Sequence, residues 1–288
     1  MTEPLSVSYY SAALSALGPA NPVSLSDSAT DGGLAARASH RAFLLKRLHS
    51  ITGVVPVGVF LVEHLWTNSK ALQGADAFAG AVNDIQGLPY LPLIEIFGIF
   101  LPLAYHSFYG VYLAVQGRQN PLEYRYARNW LYVMQRMSGM MALVFILYHL
   151  GEFRVQKWLY GMRVESFYQT LEAHLSATYW GVPWTALLYL IGIAVTVFHF
   201  ANGLSGFCLS WGITVTRAAQ RRASIACWAL GLALFGLGAN TVLFFATGSR
   251  FYVRNEIVPA YVAPQDVDVV SPVNAPANAG APPTIPPH

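Results

Sequence analysis

Residues Leu188–Thr216, LYLIGIAVTVFHFANGLSGFCLSWGITVT, form an apolar stretch that decides the fold class of this chain. A helix needs about 20 apolar residues to cross a bilayer, and this stretch is longer. One histidine, His199, lies near its middle, with Gly203 four residues later. A single histidine on an apolar helix more often hydrogen-bonds to a neighbouring helix than binds a cofactor. Three further apolar segments each carry a histidine, however, so the four imidazoles together predict a cofactor site.

The composition is typical of a membrane protein. Of 288 residues, 55% are hydrophobic and 11% are charged, with a mean hydropathy of +0.42, whereas a soluble domain has about 25% charged residues. The net charge of +3 is too small to indicate nucleic-acid binding. The two cysteines, Cys208 and Cys227, lie in apolar segments and form no CxxC motif, so we expect no iron–sulfur cluster in this chain.

Three regions are predicted along the chain: a soluble N-terminal extension (residues 1–38), a membrane domain (39–250) and a C-terminal tail (251–288). The extension is rich in small and polar residues and lacks the basic and apolar regions of a cleaved signal. The tail is rich in Pro and Ala without hydrophobic periodicity, so we expect it to be disordered or extended.

The membrane domain is predicted to be all-α, with five transmembrane helices, of which the four that carry a histidine form the core. Pro92 suits the first turn of the second helix, whereas Pro102 is expected to kink it. The segment 154–180 is polar enough for a surface hairpin or an amphipathic helix. The predicted spans are Leu48–Thr67, Leu91–Gln116, Trp130–Phe153, Pro183–Thr214 and Ser224–Thr247.

Loop charges favour an N-terminus inside and a C-terminus outside, because basic residues concentrate in inner loops. The outer segment between the third and fourth spans has three basic residues of its own, which weakens the bias. The basic residues that this orientation places inside are Arg41, Lys46, Arg47, Arg118, Arg125, Arg128, Arg217, Arg221 and Arg222.

The four membrane histidines fall at two depths, given a helix rise of about 1.5 Å per residue. His64 and His149 lie 16 and 19 residues into helices that enter from the inside, so they approach the outer face. His106 and His199 lie 15 and 16 residues into helices that run the other way, so they fall in the inner half. Two imidazoles at one depth can bind a haem iron from both sides, an arrangement suited to electron transfer. The sequence therefore favours haem as the cofactor, bound by a core of four helices.

Small residues accompany the inner histidines. Gly110 and Gly203 follow His106 and His199 by four residues, on the same helix face, where they would leave room for a macrocycle. Ordinary packing between membrane helices is the alternative explanation.

A weak internal repeat points the same way. HSITG opens the first helix, and His64 lies 11 residues after its Gly53. RMSG opens the third helix, and His149 lies 10 residues after its Gly139. Helices one and two therefore resemble helices three and four.

Polar residues near the inner boundary are candidates for the propionates of the inner haem. His49 is predicted to lie too shallow to pair with either set, but together with Arg47, Ser50 and Arg136 it could satisfy desolvated propionates. A solvated basic rim is the alternative. It explains Arg136 poorly, because an unpaired guanidinium within a span is costly. His40, His174 and His288 lie outside the spans and receive no role.

Four stretches resemble the five-helix, two-haem cytochrome b subunit of bacterial succinate dehydrogenase, which is related to the fumarate reductase cytochromes b. The resemblance covers about residues 41–247 and omits both tails. The stretches are RLHSITGVVPVGVFLVEHL (47–65), EIFGIFLPLAYHSFYGVY (95–112), RNWLYVMQRMSGM (128–140) and VFHFANGLSGFCLSWGITVT (197–216).

The resemblance implies a function as the membrane anchor of respiratory complex II in the bacterial inner membrane. His64, His149, His106 and His199 would be the axial ligands of two b haems. Electrons would arrive from an iron–sulfur subunit, supplied by a flavoprotein that oxidises succinate, and would reduce a membrane quinone. FAD and the clusters would belong to those two partners.

One departure from the family concerns proton movement. Some fumarate reductase relatives place a membrane glutamate two residues before the fourth ligand, and here that position is Val197. The resemblance is therefore closer to the branch that oxidises succinate and reduces menaquinone.

The quinone site needs groups that hydrogen-bond carbonyl oxygens and deliver protons. At the outer end the candidates are Glu63, Glu95, Glu152 and Arg154, with Asp84 in the adjoining loop. Glu95 is an acid in the first turn of an apolar helix, where stabilisation of the helix dipole is an equal alternative.

Other functions also fit a histidine-bearing bundle. A hydrogenase or formate dehydrogenase cytochrome b would keep the haems and change the partner. A bc-type cytochrome b stacks both ligands on each of two helices, unlike this chain. A transporter or channel would use the histidines as a proton relay, and it would lack Soret absorbance.

Overall fold

The structure, a computed structural model, describes residues 25–117, 122–123, 125–161 and 166–249, with side chains from residue 39 onward. Within these ranges the chain is helical and has no β-strand, only an isolated bridge between Tyr179 and Val182. The rest of the N-terminal extension and the C-terminal tail lie outside the described residues. The division into extension, membrane domain and tail therefore stays a prediction.

Five helices of the described chain are long and apolar enough to cross a membrane, which confirms the all-α, five-span fold. Their orientation stays a prediction. We call them the first to fifth spans: Ser39–Gln73, Leu91–Gln116, Ala127–Tyr160, Trp184–Ser210 and Arg217–Thr247.

The first span is formed by the later part of one α-helix, Leu25–Val54, by a second α-helix, Pro56–Ser69, and by a 3-10 turn at Lys70–Gln73. The break falls at Pro56, which has no amide hydrogen for the helix ladder. The backbone of residues 25–38, predicted as part of a soluble extension, continues the first of these helices.

The third span is longer than predicted, because it continues past Phe153 through a π-helical segment, Gly151–Val155, to Tyr160. Arg154, with which the predicted polar segment began, has a partner on the bundle, because it bonds to Glu95. Its neighbour Glu152 bonds to Tyr189. The second span contains a similar π-helical segment, Ile94–Phe100, directly before the α-helix that carries Pro102. Such segments are frequent at functional sites.

Two short helices, Ala75–Gln86 and Phe167–Ser176, cover one end of the bundle. The second of them, Phe167–Ser176, lies in the segment 154–180, for which the sequence predicted either a surface hairpin or an amphipathic helix. Their buried side chains pack with the end of the fifth span, so an apolar cluster closes this end of the bundle and forms its roof. The residues of this cluster include Phe78, Val82, Leu175, Tyr189, Phe244 and Phe245.

The fifth span has no histidine and supports the fourth by close packing. A Cβ atom at Gly231 would lie 2.8 Å from the Cβ of Ala201, so the two backbones approach closely, as small residues allow in membranes. Large apolar side chains such as Phe108, Val115 and Val144 are exposed on the outside of the bundle. A lipid environment explains this exposure, since a soluble monomer rarely shows so large an apolar surface.

Candidate functional site

One cavity of about 1970 Å³ runs through the bundle. Sites for single small ligands usually enclose about 300–1,000 Å³, so this cavity has room for more than one such ligand. Its wall is mainly apolar and includes all four histidines predicted as ligands. The histidines in the wall are His49, His64, His106, His149 and His199.

The histidines meet in the two pairs that the depth argument predicts. The ring centroids of His64 and His149 are 5.6 Å apart, and those of His106 and His199 are 6.0 Å apart. An atom of iron bound by two opposed imidazoles at about 2 Å per nitrogen requires centroids roughly 6 Å apart. Both pairs are therefore close enough to bind an iron between them, and their role as ligands stays a prediction.

The donor set fits a macrocyclic iron better than a bare metal ion. Within the described residues no group of three or more His, Cys, Asp or Glu side chains could hold a metal. A site with two imidazoles must receive its other ligands from the bound group, and a porphyrin supplies four nitrogens. The residues present therefore fit haem.

The inner histidines are oriented by backbone carbonyls. His106 Nδ1 lies 2.9 Å from the carbonyl oxygen of His49, and His199 Nδ1 lies 3.0 Å from that of Gln135. An imidazole that donates from Nδ1 keeps its lone pair on Nε2, which is the form that binds a metal. Both inner rings are therefore held in a ligating tautomer.

Four glycines shape the contacts between these helices. A Cβ atom at Gly53 would overlap the ring of His106, and one at Gly139 would lie 2.8 Å from His199 Cε1. Opposite Gly110 and Gly203, the nearest side-chain atoms are His49 Cε1 and Gln135 Nε2, each 3.1 Å from such a Cβ atom. Gly110 and Gly203 also belong to the cavity wall, so their predicted role beside a macrocycle stays open.

His49 lies deeper than predicted, and the expectation that it cannot meet either pair is wrong. Its ring stacks on that of His106, with centroids 4.1 Å apart and planes 7° apart. Gly110 has no side chain there, which leaves space for the His49 ring. The Nδ1 atom of His49 is buried and finds no hydrogen-bond partner in residues 25–117, 122–123, 125–161 and 166–249.

Arg136 is the best placed of the predicted propionate partners. Its guanidinium lies over the ring of Tyr132 at 3.6 Å, and its Nε and Nη1 atoms are buried without a hydrogen-bond partner among the described residues. Buried guanidinium nitrogens without an acceptor are costly, so this arrangement fits the carboxylate of a ligand. Arg128, Arg217 and Arg221 join it in the cavity wall.

Ser50 and Arg47 lie differently from each other. Ser50 belongs to the cavity wall, and its Oγ accepts a hydrogen bond from Trp211 Nε1 at 3.4 Å. Arg47 is outside the wall and lies over the rings of Phe43 and Trp211, at 5.0 and 4.8 Å. Its predicted contact with a propionate gains no support from this placement.

At the other end, an ion pair joins the two π-helical segments. Arg154 donates to both carboxylate oxygens of Glu95, one of them at 2.7 Å, and both side chains line the cavity. Lys157 donates to Gln86 at 2.5 Å beside them. Glu95 is thus the partner of a cation rather than a free acid of the helix terminus.

The remaining quinone-site candidates are spread out. Glu63 belongs to the cavity wall and accepts a hydrogen bond from Thr67 Oγ1 at 2.5 Å. Glu152 lies outside the wall, behind Tyr189, and Asp84 is exposed and also outside it. The structure thus brings Glu95, Arg154 and Glu63 to the cavity and leaves Glu152 and Asp84 apart from it.

Sequence reasoning missed Gln135, Tyr189 and Asn202. Asn202 donates to Gln135 Oε1 at 2.8 Å and helps to hold that side chain. The internal repeat could have revealed Gln135, since it precedes Gly139 by four residues as His49 precedes Gly53. Tyr189 gave no signal, because a tyrosine near the end of an apolar span is ordinary in membrane proteins.

Comparison with known proteins places these features in a family. The model of the succinate dehydrogenase/fumarate reductase transmembrane subunit family matches residues 118–239. The succinate dehydrogenase cytochrome b558 subunit of Bacillus subtilis (strain 168) is 40% identical over 206 residues, which are 72% of this chain and 98% of that protein. No solved structure matches the chain significantly.

Proposed function

This chain belongs to the succinate dehydrogenase/fumarate reductase family of transmembrane cytochrome b subunits, and from that premise we propose that it is the quinone-reducing anchor of a bacterial succinate dehydrogenase. Members of this family are membrane subunits of an oxidoreductase complex. The soluble partners would be a flavoprotein and an iron–sulfur protein bound at the inner face. The location would be the bacterial cytoplasmic membrane.

The observation that carries the proposal is the pair of histidine pairs in one cavity. His106 and His199 would hold one b haem, and His64 and His149 would hold a second. A haem with two imidazole ligands exchanges single electrons and has no open coordination position. The protein orients the imidazoles and surrounds the cavity mainly with apolar side chains.

The inner end would bind the propionates and face the soluble subunits. Arg136 offers buried donor atoms that have no partner within the described residues, and Arg128, Arg217 and Arg221 add positive charge to the cavity wall. Ser50 and His49 lie beside them in the wall.

The outer end would bind the quinone, under the roof of the two short helices. The polar groups in the wall there include Glu95, Arg154, Glu63, Lys157 and Gln86. Arg154 can donate to a quinone carbonyl oxygen, and a carboxylate can accept and return a proton. Menaquinone is the expected quinone, since Val197 stands where some fumarate reductase relatives have a glutamate.

The proposal is tested by haem counts and reduced-minus-oxidised spectra of the purified intact complex. Replacement of His64 or His149 by Ala should remove one haem, and replacement of His106 or His199 should remove the other. His40→Ala, on an exposed residue outside the cavity wall, serves as the control and should keep both. Full haem occupancy in His106→Ala, or a wild-type complex without Soret absorbance, would contradict it.

A further inference from the structure

His149 differs from the other three paired histidines in the hydrogen-bond partner of its Nδ1 atom. His149 Nδ1 lies 3.2 Å from the hydroxyl oxygen of Tyr189, a buried residue on the fourth span. That hydroxyl donates its own hydrogen to Glu152 Oε2 at 2.6 Å. Because the hydroxyl hydrogen is committed to Glu152, its oxygen is left to accept from His149 Nδ1.

The carboxylate of Glu152 is tied into place on both oxygens. Tyr189 donates to Oε2 and Tyr148 donates to Oε1, a pattern that suits an ionised acceptor. His174 Nδ1, from the short helix above, lies 3.6 Å from Oε1. Glu152 does not reach the cavity itself, so it acts on His149 through Tyr189.

Tyr189 is held rigidly enough to keep this geometry. Its ring meets that of Phe145 edge to face, with centroids 5.3 Å apart and planes at 90°. Phe145 in turn packs on Gly192, where an added Cβ atom would overlap its ring. The hydroxyl position is therefore fixed by packing from two spans as well as by its hydrogen bonds.

In the described chain the ring nitrogens of the other three histidines have only neutral hydrogen-bond partners, although the carboxylate of Glu63 acts on His64 through space. His106 and His199 meet backbone carbonyl oxygens. For His64 the nearby polar group is the amide of Asn68, whose nitrogen lies 3.4 Å from the ring nitrogens. The chain of hydrogen bonds that ends on a carboxylate is specific to His149.

We propose that Tyr189 and Glu152 form a carboxylate–phenol–imidazole chain that tunes the reduction potential of the haem held by His64 and His149. A negative charge behind the acceptor strengthens the hydrogen bond from Nδ1 and makes Nε2 a better donor to iron. A better donor stabilises the more highly charged, oxidised iron and lowers its potential. Tyr189 and Glu152 are positioning residues, and this inference rests on the haem-binding function proposed above.

The test is a redox titration of both haems in membranes that contain the intact complex. The outer haem is identified as the signal that His149→Ala removes. Tyr189→Phe keeps the ring against Phe145 and removes only the hydroxyl, so we expect both haems to remain and the outer midpoint potential to rise. The inner midpoint potential should stay at the wild-type value.

Two further variants separate tuning from packing. Glu152→Gln keeps an acceptor oxygen and removes the charge, so the outer midpoint potential should rise again. Tyr148→Phe also deprives Glu152 of a hydroxyl but leaves Tyr189 and His149 in place, so its effect should be clearly smaller than that of Tyr189→Phe. The low-spin electron paramagnetic resonance signal of the outer haem should shift in Tyr189→Phe and in Glu152→Gln.

An unchanged outer potential in both Tyr189→Phe and Glu152→Gln would overturn the inference, as would a Tyr148→Phe shift equal to that of Tyr189→Phe. If Tyr189→Phe loses the outer haem, Glu152→Gln decides: a raised potential supports the tuning role and an unchanged one refutes it. Retention of both haems in His149→Ala would instead refute the ligand assignment, so the two failures are distinguishable.

Discussion

His199 Nδ1 donates to the backbone carbonyl oxygen of Gln135 at 3.0 Å, and the same relationship recurs between His106 and His49 at 2.9 Å. In each case the acceptor precedes a glycine by four residues, and the imidazole packs on that glycine. The first and second spans thus form one copy of a helix pair whose other copy is the third and fourth spans. The same contacts thus surround His106 and His199, and they set the tautomer of each imidazole.

The first prediction concerns the glycines of this repeat. A methyl group at Gly53 would overlap the imidazole of His106, and one at Gly139 would approach His199 Cε1 to 2.8 Å. Gly53→Ala and Gly139→Ala should each displace an inner ligand, so the inner haem should be lost or weakened while the outer haem remains. Reduced-minus-oxidised spectra and haem counts of the intact complex measure this.

Gly236→Ala is the matched control for these substitutions. Gly236 also lies within a span, and an added Cβ atom there would meet no atom within 4 Å. It should therefore keep both haems. Wild-type inner haem content in both Gly53→Ala and Gly139→Ala would contradict the proposed role of the repeat.

The number of spans and the histidine pairs were predictable because they follow from hydrophobic length and helix rise. His64, His149, His106 and His199 each lie on an apolar segment whose direction is set by its place in the chain. Depth along the membrane normal therefore needed no knowledge of packing.

What depends on sideways packing was not predictable. The position of His49 depends on the space left by Gly110, which spacing alone does not reveal. The end of the third span was placed too early because Arg154 is polar, and only the fold shows that Glu95 on another span neutralises it. Tyr189 reaches His149 from a different helix, so nothing local in the sequence marked it.

The second prediction concerns Arg136, whose Nε and Nη1 atoms are buried and have no hydrogen-bond partner in the part of the chain that the structure describes. Hydrogen bonds to charged groups contribute about 1.5–3 kcal/mol, so loss of one with a propionate should weaken haem binding roughly 10- to 100-fold. Arg136→Gln should therefore lower the inner haem content of the purified complex. Arg222→Gln, on an exposed arginine outside the cavity wall, should leave it unchanged. Equal haem content in the two variants would show that Arg136 does not bind a haem propionate.

The third prediction concerns the ion pair between Glu95 and Arg154, whose side chains are 14% and 20% exposed. If the two residues only neutralise each other, Glu95→Gln and Arg154→Gln should each harm the complex, and the double variant should recover. We expect no recovery, because the proposed quinone site uses both groups. Quinone-dependent activity should fall several-fold in all three variants.

Succinate oxidation with an artificial acceptor separates this effect from damage to the soluble subunits, and it should be unchanged. Asp84→Asn, on an exposed acid outside the cavity wall, is the control and should keep full quinone activity. A double variant with wild-type quinone activity would show that the pair is structural only.

The last prediction concerns the membrane potential. If quinone is reduced at the outer end, electrons from succinate cross the membrane from the inside to the outside. The protons for the quinol are taken up from the outside. This outward movement of electrons is electrically equivalent to moving positive charge inward. Each elementary charge moved with the potential gains about 2.3 kcal/mol per 100 mV, a useful contribution if the acceptor is a low-potential quinone such as menaquinone. Position 197 has no carboxylate to carry compensating protons, because it is a valine. The side chain of Val197 is buried and packs with Leu65 and Leu234.

Succinate-supported reduction of menaquinone analogues in coupled vesicles should therefore fall markedly when an uncoupler is added. Succinate oxidation by an artificial acceptor at the inner face should be unaffected, because its electrons do not cross the membrane. Val197→Glu offers a further comparison, since a carboxylate beside the cavity could restore a proton path and reduce the effect of the uncoupler. Menaquinone reduction that is equally fast with and without uncoupler in the wild type would place the quinone at the inner face or require another proton path, and the proposed outer site would be wrong.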